Sequence, residues 1–300
     1  MGFCVMEVKK PATLDEQIDK MTSRGCCIDD RNFAKRVLSE INYYGLTAYF
    51  LPFKTNQDTY KPGTTLEMVY NLYKFDGELR MLCFSIIEEI ELMLRARLSY
   101  YHAHRYGALG YLWPETFSKR HKEKRFNDHI KHTIEKNKKQ LFVQHHIDKY
   151  GGSFPIWVII ELFSFGELSY FYSDLQTADQ KILARRICGS TPKNLSSWLI
   201  CLTYLRNYCA HYSRLYYTQF PARPATPLNF GYELKKRVFD YLLVLKFLYP
   251  NRNMWEEKFL NPLRTIIDKY KKYINLKHIG FPDNWDSLLS CDLDFEPVIE

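Results

Sequence analysis

Apolar residues recur at three- and four-residue spacing over most of this chain, which predicts helices and almost no strand. The longest such run extends from Leu66 to about Arg105, where Thr64 or Thr65 can cap the start. Asp76-Gly77 makes it either one long helix with a break or two in succession. Two shorter helices precede it, over 13–23 and 29–43. Thr13 with Glu16 has the form of a capping box, and Asp29-Asp30 can open the second helix. Gly151-Gly152 introduces a second apolar block, FPIWVIIELFSFGELSYFYSDL, and 177–188 reads as a more polar helix. Gly189-Ser190-Thr191-Pro192 is a turn that supplies a cap (Ser190 or Thr191) and a first-turn proline to the next helix. FPARPATPLNF is a Pro-rich surface loop, followed by helices over roughly 231–248 and 254–274. The closing DNWDSLLSCDLDFEPVIE reads as an acidic tail or edge segment.

Composition agrees with an all-α reading. The 300 residues are 46% hydrophobic and 16% aromatic, ample for a core, while Gly and Pro number only 13 each. No apolar run is long enough to span a bilayer, and the N-terminus lacks the charged-then-apolar order of a secretory signal. Met1-Gly2 is followed by Met6 rather than Ser or Thr, which argues against acylation. The eight cysteines are scattered with no C-x-x-C pair, so neither a disulfide framework nor a zinc site is expected, and the compartment is expected to be the reducing cytoplasm. No cofactor is expected.

The net charge of +8 matters less than its placement. Between Phe117 and Tyr150 stand ten Lys/Arg against four Asp/Glu, with five of the nine histidines. The stretch reads as a basic helical hairpin or arm. Lys119, Arg120, Lys122, Lys124, Arg125, Lys131, Lys136, Lys138 and Lys139 are its candidate phosphate contacts. The bland alternative is a solvated helix face. His129/His132 and His145/His146 lack the carboxylate or thiolate that would complete a metal set.

The candidate chemistry lies near residue 200, in LICLTYLRNYCAHYSRLYY. Arg206 can hold a phosphate in a planar two-pronged grip, His211 can exchange a proton with a ribose hydroxyl near neutral pH, and Asn207 can orient either. Spacing alone does not select this pair. Arg97/His102, Arg95/His102, Arg97/His104 and Arg125/His132 have similar separations. What distinguishes Arg206 and His211 is their setting in an apolar run that predicts a buried helix, where both residue types are costly. The competing reading is a structural Arg with a carboxylate partner and a satisfied core His. Five residues apart on a helix, the two side chains point ~140° away from each other. They converge only if the helix is distorted or a second copy faces the first.

These segments together resemble the abortive-infection Abi proteins of the AbiD/AbiF type. The resemblance runs from about Lys10 to Arg223 and includes KPATLDEQID, INYYGLTAYFLPF, YNLYKFDGELR, IEEIELMLRARL, FPIWVIIELFSFGELSYFY and LRNYCAHYSRLYY. It implies an all-α, HEPN-like helical bundle, usually homodimeric, with additional N- and C-terminal helices and the basic arm. It also implies a metal-independent ribonuclease site whose pattern falls on Arg206, Asn207 and His211, and a structured noncoding RNA as partner. The expected organisation is an N-terminal helical region (1–62), a HEPN-like domain (63–250) with its arm at 117–150, and a C-terminal helix with an acidic tail (251–300). One departure stands out. Relatives tend to carry an Asn-Arg pair after the Leu or Trp that follows the histidine, and here Leu215 is followed by Tyr216-Tyr217-Thr218. Arg214 is the cation that can take over a phosphate contact.

Two functions follow as expectations. One is an anti-phage endoribonuclease toxin held in complex with a structured RNA. The other is a noncatalytic RNA-binding component of a ribonucleoprotein. A helical protein-interaction module is the third and plainest reading.

Overall fold

The computed structural model describes residues 10–55 and 57–290. Met1-Gly2, Cys4, Cys291 and the acidic end of the proposed tail lie outside the described residues. Among the described residues the fold is all-helical; a few isolated backbone bridges occur, and no strand. The chain divides into two compact units, one of residues up to 78 with Thr265–Asn275, the other of Leu79–Arg264 with the residues from 276.

In the first unit, α1 (Leu14–Ser23) opens on the expected capping box. Thr13 Oγ1 accepts from the Glu16 amide at 3.2 Å, and Glu16 accepts from the Thr13 amide at 2.6 Å. Asp30 caps α2 (Arg31–Glu40), accepting from the Asn32 and Phe33 amides. A short α3 (Tyr43–Thr47) and a tight 3₁₀ turn at Ala48–Phe53 follow. Thr65, rather than Thr64, caps α4 (Leu66–Tyr106), a single unbroken helix of 41 residues. The break admitted at Asp76-Gly77 does not occur. A helical glycine costs about 1 kcal/mol. Here Leu72 and Phe75 are buried on the same helix, and the buried Asp76 accepts a 2.7 Å bond from the Tyr49 hydroxyl. Those interactions hold the helix through the weak point.

The second unit is built around α11 (Val238–Leu248), every residue of which is buried. Two polar members of α11 are satisfied locally. Asp240 accepts from the Arg237 amide at 2.8 Å, and Lys246 donates to the Leu288 carbonyl at 3.1 Å. Against α11 pack α9 (Thr177–Cys188) and α10 (Pro192–Ala210), with the rings of Trp198 and Phe247 4.8 Å apart. α10 in turn packs most extensively on α8 (Phe165–Asp174), which follows the short α7 (Ile156–Ile159) and opens on a Ser164–Glu167 capping box. The basic arm is two helices, α5 (Glu123–Asn137) and α6 (Leu141–Tyr150).

Residues 283–290 are the described part of the acidic segment that the sequence reads as a tail or edge. After a π-helical turn at Glu256–Leu260, α12 (Asn261–Tyr270) and α13 (Trp285–Ser290) complete the described chain. α13 is anchored: Leu289 is buried, its carbonyl accepts from the Trp255 indole at 3.0 Å, and Asp286 pairs with Arg264 at 2.7 Å. The acidic residues of 283–290 mask a short amphipathic pattern whose apolar side is Leu289. Among the described residues no helix is long and apolar enough to cross a membrane.

Candidate functional site

α10 begins as expected, with Thr191 Oγ1 accepting from the Asn194 amide at 3.2 Å and Pro192 at the first position. Its buried residues, among them Leu195, Trp198, Leu199, Leu202 and Leu205, face the core. The indole of Trp198 donates to the Ala225 carbonyl at 2.8 Å, and the Ala225 amide donates to Ser197 Oγ at 2.9 Å. These bonds tie the Pro-rich loop across the helix.

The candidate pair sits where α10 stops. Arg206 is half-buried in the last turn, Asn207 is exposed, and His211 is the exposed capping residue just past Ala210. The expectation that both lie in the core is therefore corrected. The apolar run continues to Cys209, but the helix does not continue beyond Ala210. It ends in a Schellman-type closure: the Tyr212 amide bonds to the Cys209 carbonyl (3.3 Å) and the Ser213 amide to the Tyr208 carbonyl (2.9 Å). That closure normally has Gly at its left-handed position. Here Tyr212 adopts φ 55° and is 84% exposed. Among the described residues, Arg206 Nε is buried with no hydrogen-bond partner, and no carboxylate pairs with its guanidinium. The reading of Arg206 as one half of a structural ion pair thus fails. The helical pattern holds through His211, whose amide bonds to the Asn207 carbonyl at 3.0 Å, so within one copy the two side chains keep the ~140° divergence of a helix.

The segment after the histidine is fixed by residues whose role was not legible in sequence. Leu215 and Tyr216 are buried, the Tyr216 hydroxyl lies 2.9 Å from His278 Nδ1, and Tyr217 (φ 65°) stacks on the His278 ring at 4.4 Å. Arg80 of α4 brings Nη1 within 3.4 Å of the Ser213 carbonyl. Tyr216-Tyr217 act as anchors of this loop. Arg214 is half-buried, and its carbonyl accepts from the Thr218 hydroxyl at 2.6 Å. A histidine at position 278, far along the chain, carried no signal that tied it to this loop.

On the arm, Lys119, Arg120, Lys122, Lys124, Arg125, Lys131, Lys136, Lys138 and Lys139 are all exposed. Ile130 and Thr133 on α5 and Val143 on α6 are its buried positions, so its cations line the outer faces. Among the described residues only Lys138 of these nine is held in an ion pair, with Glu135. Also among the described residues, no group of three or more His, Cys, Asp or Glu side chains is placed to hold a metal ion, and none of the six described cysteines is in a disulfide. Burial pushes the Cys26, Cys188 and Cys201 thiols up to about 12, so they behave as small hydrophobes.

Among the described residues the fold is all-helical, with Arg206 and an exposed His211 at one helix end and a separate cationic arm. The model of the family described as Abi-like protein matches residues 36–217, more than half of the chain and including the whole arm and the Arg206–His211 segment. The chain belongs to the Abi-like protein family, a membership that suggests a role in abortive infection. No curated protein and no solved structure matches it.

Proposed function

We propose that this protein is an anti-phage, metal-independent endoribonuclease of HEPN type that works as a homodimer and is held in complex with a structured noncoding RNA. His211 removes the proton from a ribose 2′-hydroxyl or delivers one to the leaving oxygen. Arg206 stabilises the charge that builds on the phosphate, and Asn207 orients the substrate or the imidazole. The products carry a 2′,3′-cyclic phosphate and a 5′-hydroxyl. The observation that carries this reading is the state of the pair: a half-buried guanidinium with no protein partner among the described residues, and an imidazole exposed at the end of the same helix.

The arm supplies RNA affinity through its exposed cations, and that part of the proposal holds also for a noncatalytic RNA-binding protein. Pairing of two copies rests on the resemblance to HEPN proteins. It is supported by Met81, Phe84 and Leu92, which stay partly or largely exposed on one face of α4, the helix whose Arg80 reaches the Ser213 carbonyl. The test is to purify wild type and His211→Ala in low salt and sequence the RNA that accompanies each. One discrete RNA in both samples, with cyclic-phosphate ends only in wild type, is the expected result. The same RNA with identical ends in both leaves the noncatalytic reading. No enriched RNA in either removes both.

A further inference from the structure

The arm has a cavity at its root, built from different elements than the Arg206–His211 site. It measures about 480 Å³, within the range of small-ligand pockets. Its wall is aromatic: Phe117, Phe126, Phe163 and Phe171, with ring centroids 5.7 to 6.5 Å apart between neighbours. His121 stacks on Phe117 at 4.0 Å and 13°, extending the wall with a flat surface. Its Nδ1 lies 3.0 Å from Asp174, and His129 is paired with Glu167 in the same cavity. Each of the two acidic groups thus has a hydrogen-bond partner in an imidazole ring. The cations Arg120, Lys122 and Arg125 line the cavity, and among the described residues none of the three is in an ion pair.

The wall is held rigidly. The Ser118 amide donates to the Asp174 carbonyl at 2.7 Å, and Gln176 donates to the Phe117 carbonyl. Arg95 donates to the Phe163 carbonyl at 2.9 Å while pairing with Glu91 at 2.6 Å. Glu167, Tyr170, Phe171 and Asp174 follow one another at helical spacing, so one face of α8 forms the cavity side. On that face Tyr170 is 74% exposed, a flat aromatic side chain left at the cavity mouth. A pocket with an aromatic wall, a free tyrosine at its lip and three unpaired cations matches a nucleoside phosphate: a flat, apolar-faced base joined to an anion.

We propose that this cavity seats one unpaired nucleotide. Its base lies against the phenylalanine wall and Tyr170, and its phosphate is held by Arg120, Lys122 and Arg125. The inference deepens the proposed RNA-binding role of the arm and rests on it for the source of the nucleotide: one residue of single-stranded or looped RNA, rather than a free mononucleotide. Such a pocket gives the arm a preference for unpaired RNA that phosphate contacts alone do not provide.

The test measures binding of a labelled decaadenylate, a fully base-paired RNA of the same length and 5′-AMP to the full chain. The variants are Tyr170→Ala, Arg120→Ala/Arg125→Ala and Lys138→Ala/Lys139→Ala. All five positions are exposed, so the fold is expected to survive. Tyr170→Ala should weaken decaadenylate about tenfold with little change for the duplex, because stacking acts on the base face. Arg120→Ala/Arg125→Ala should weaken both RNAs and flatten the salt dependence of decaadenylate binding. Decaadenylate binding that is lost in Tyr170→Ala, with no binding of 5′-AMP, supports the RNA source. Binding of 5′-AMP as tight as that of decaadenylate, and equally sensitive to Tyr170→Ala, keeps the pocket but overturns the RNA source. Equal decaadenylate affinity in wild type and Tyr170→Ala overturns the pocket. The Lys138→Ala/Lys139→Ala variant reports separately: if it loses RNA while Tyr170→Ala does not, the arm stands and the pocket fails.

Discussion

Arg97 and His102 in α4 have the same separation as Arg206 and His211 in α10, yet the two pairs meet opposite fates. Arg97 is committed: it donates to the Arg186 carbonyl at 2.7 Å and reaches that of Ile187 at 3.4 Å, covering the orphan carbonyls at the end of α9. His102 is fully buried against Tyr106, Phe117 and Phe171. Arg206 has no protein partner among the described residues, and His211 is exposed. The difference is position along a helix. Arg97 and His102 lie within a long packed helix, whereas Arg206 and His211 stand at the end of α10.

The sharpest way to break this comparison is by rates. His211→Ala should lower cleavage by roughly 10²–10⁴-fold, the usual contribution of a general acid or base, and Arg206→Ala by a comparable factor. Because His211 is exposed, its removal should shift stability by no more than about 0.5 kcal/mol. Arg97→Ala and His102→Leu should leave the rate per folded molecule near wild type. Single-turnover cleavage with matched circular dichroism checks all four. Loss of rate in His102→Leu at unchanged stability would sink the distinction.

The second contrast is pH dependence. Burial lowers the His102 imidazole from its ordinary 6.5 to about 4. The unfolded chain therefore binds a proton between those values that the folded chain does not. Stability should be full above about pH 6.5 and fall as the pH drops toward 4, by at most about 3 kcal/mol from this group. Urea denaturation across that range should show a flatter profile in His102→Leu than in wild type. His102→Leu also removes ring nitrogens that have no hydrogen-bond partner among the described residues. If wild type and variant lose stability in parallel, the imidazole is not the group being titrated.

Arg97→Ala comes next. A hydrogen bond from a charged donor is worth about 1.5–3 kcal/mol, and its loss leaves the last carbonyls of α9 uncovered. The expected result is destabilisation of that size in chemical denaturation, with RNA binding by the arm unchanged. An effect under about 0.5 kcal/mol would mean that water covers those carbonyls equally well.

Sequence pattern alone revealed most helices and narrowed their caps, because capping is local: Thr13 with Glu16 acts as the pattern predicts, and Asp30, Thr65 and Thr191 are each one of the two neighbouring candidates it offers. It also located the arm, because charge density needs no tertiary information. It misjudged the setting of Arg206 and His211 for an equally physical reason. An apolar run reports burial, but it does not report where a helix terminates when the left-handed closing residue is a tyrosine instead of glycine. The aromatic cavity escaped notice because Phe117 and Phe126 stand in the basic stretch and Phe163 and Phe171 in the second apolar block, and no local pattern joins the two. His278 is the same case at longer range.

Tyr212 offers the finest adjustment. A non-glycine residue in the left-handed region costs roughly 1–2 kcal/mol, and glycine relieves that cost but loses more backbone freedom on folding. Tyr212→Gly should therefore stabilise the protein by about 0.5–1 kcal/mol, read as a small rise in the denaturation midpoint with an unchanged slope. Tyr212 makes no core contact to lose, since its side chain is mostly exposed. The strained tyrosine directly follows His211 and closes the turn that holds it, whereas no comparable strain adjoins His102. If Tyr212→Gly gains stability and keeps its cleavage rate, the tyrosine is incidental and only the helix end matters. If it gains stability and loses rate, the exposed ring or the strained turn belongs to the site, and the contrast between the two Arg–His pairs becomes one of backbone as well as position.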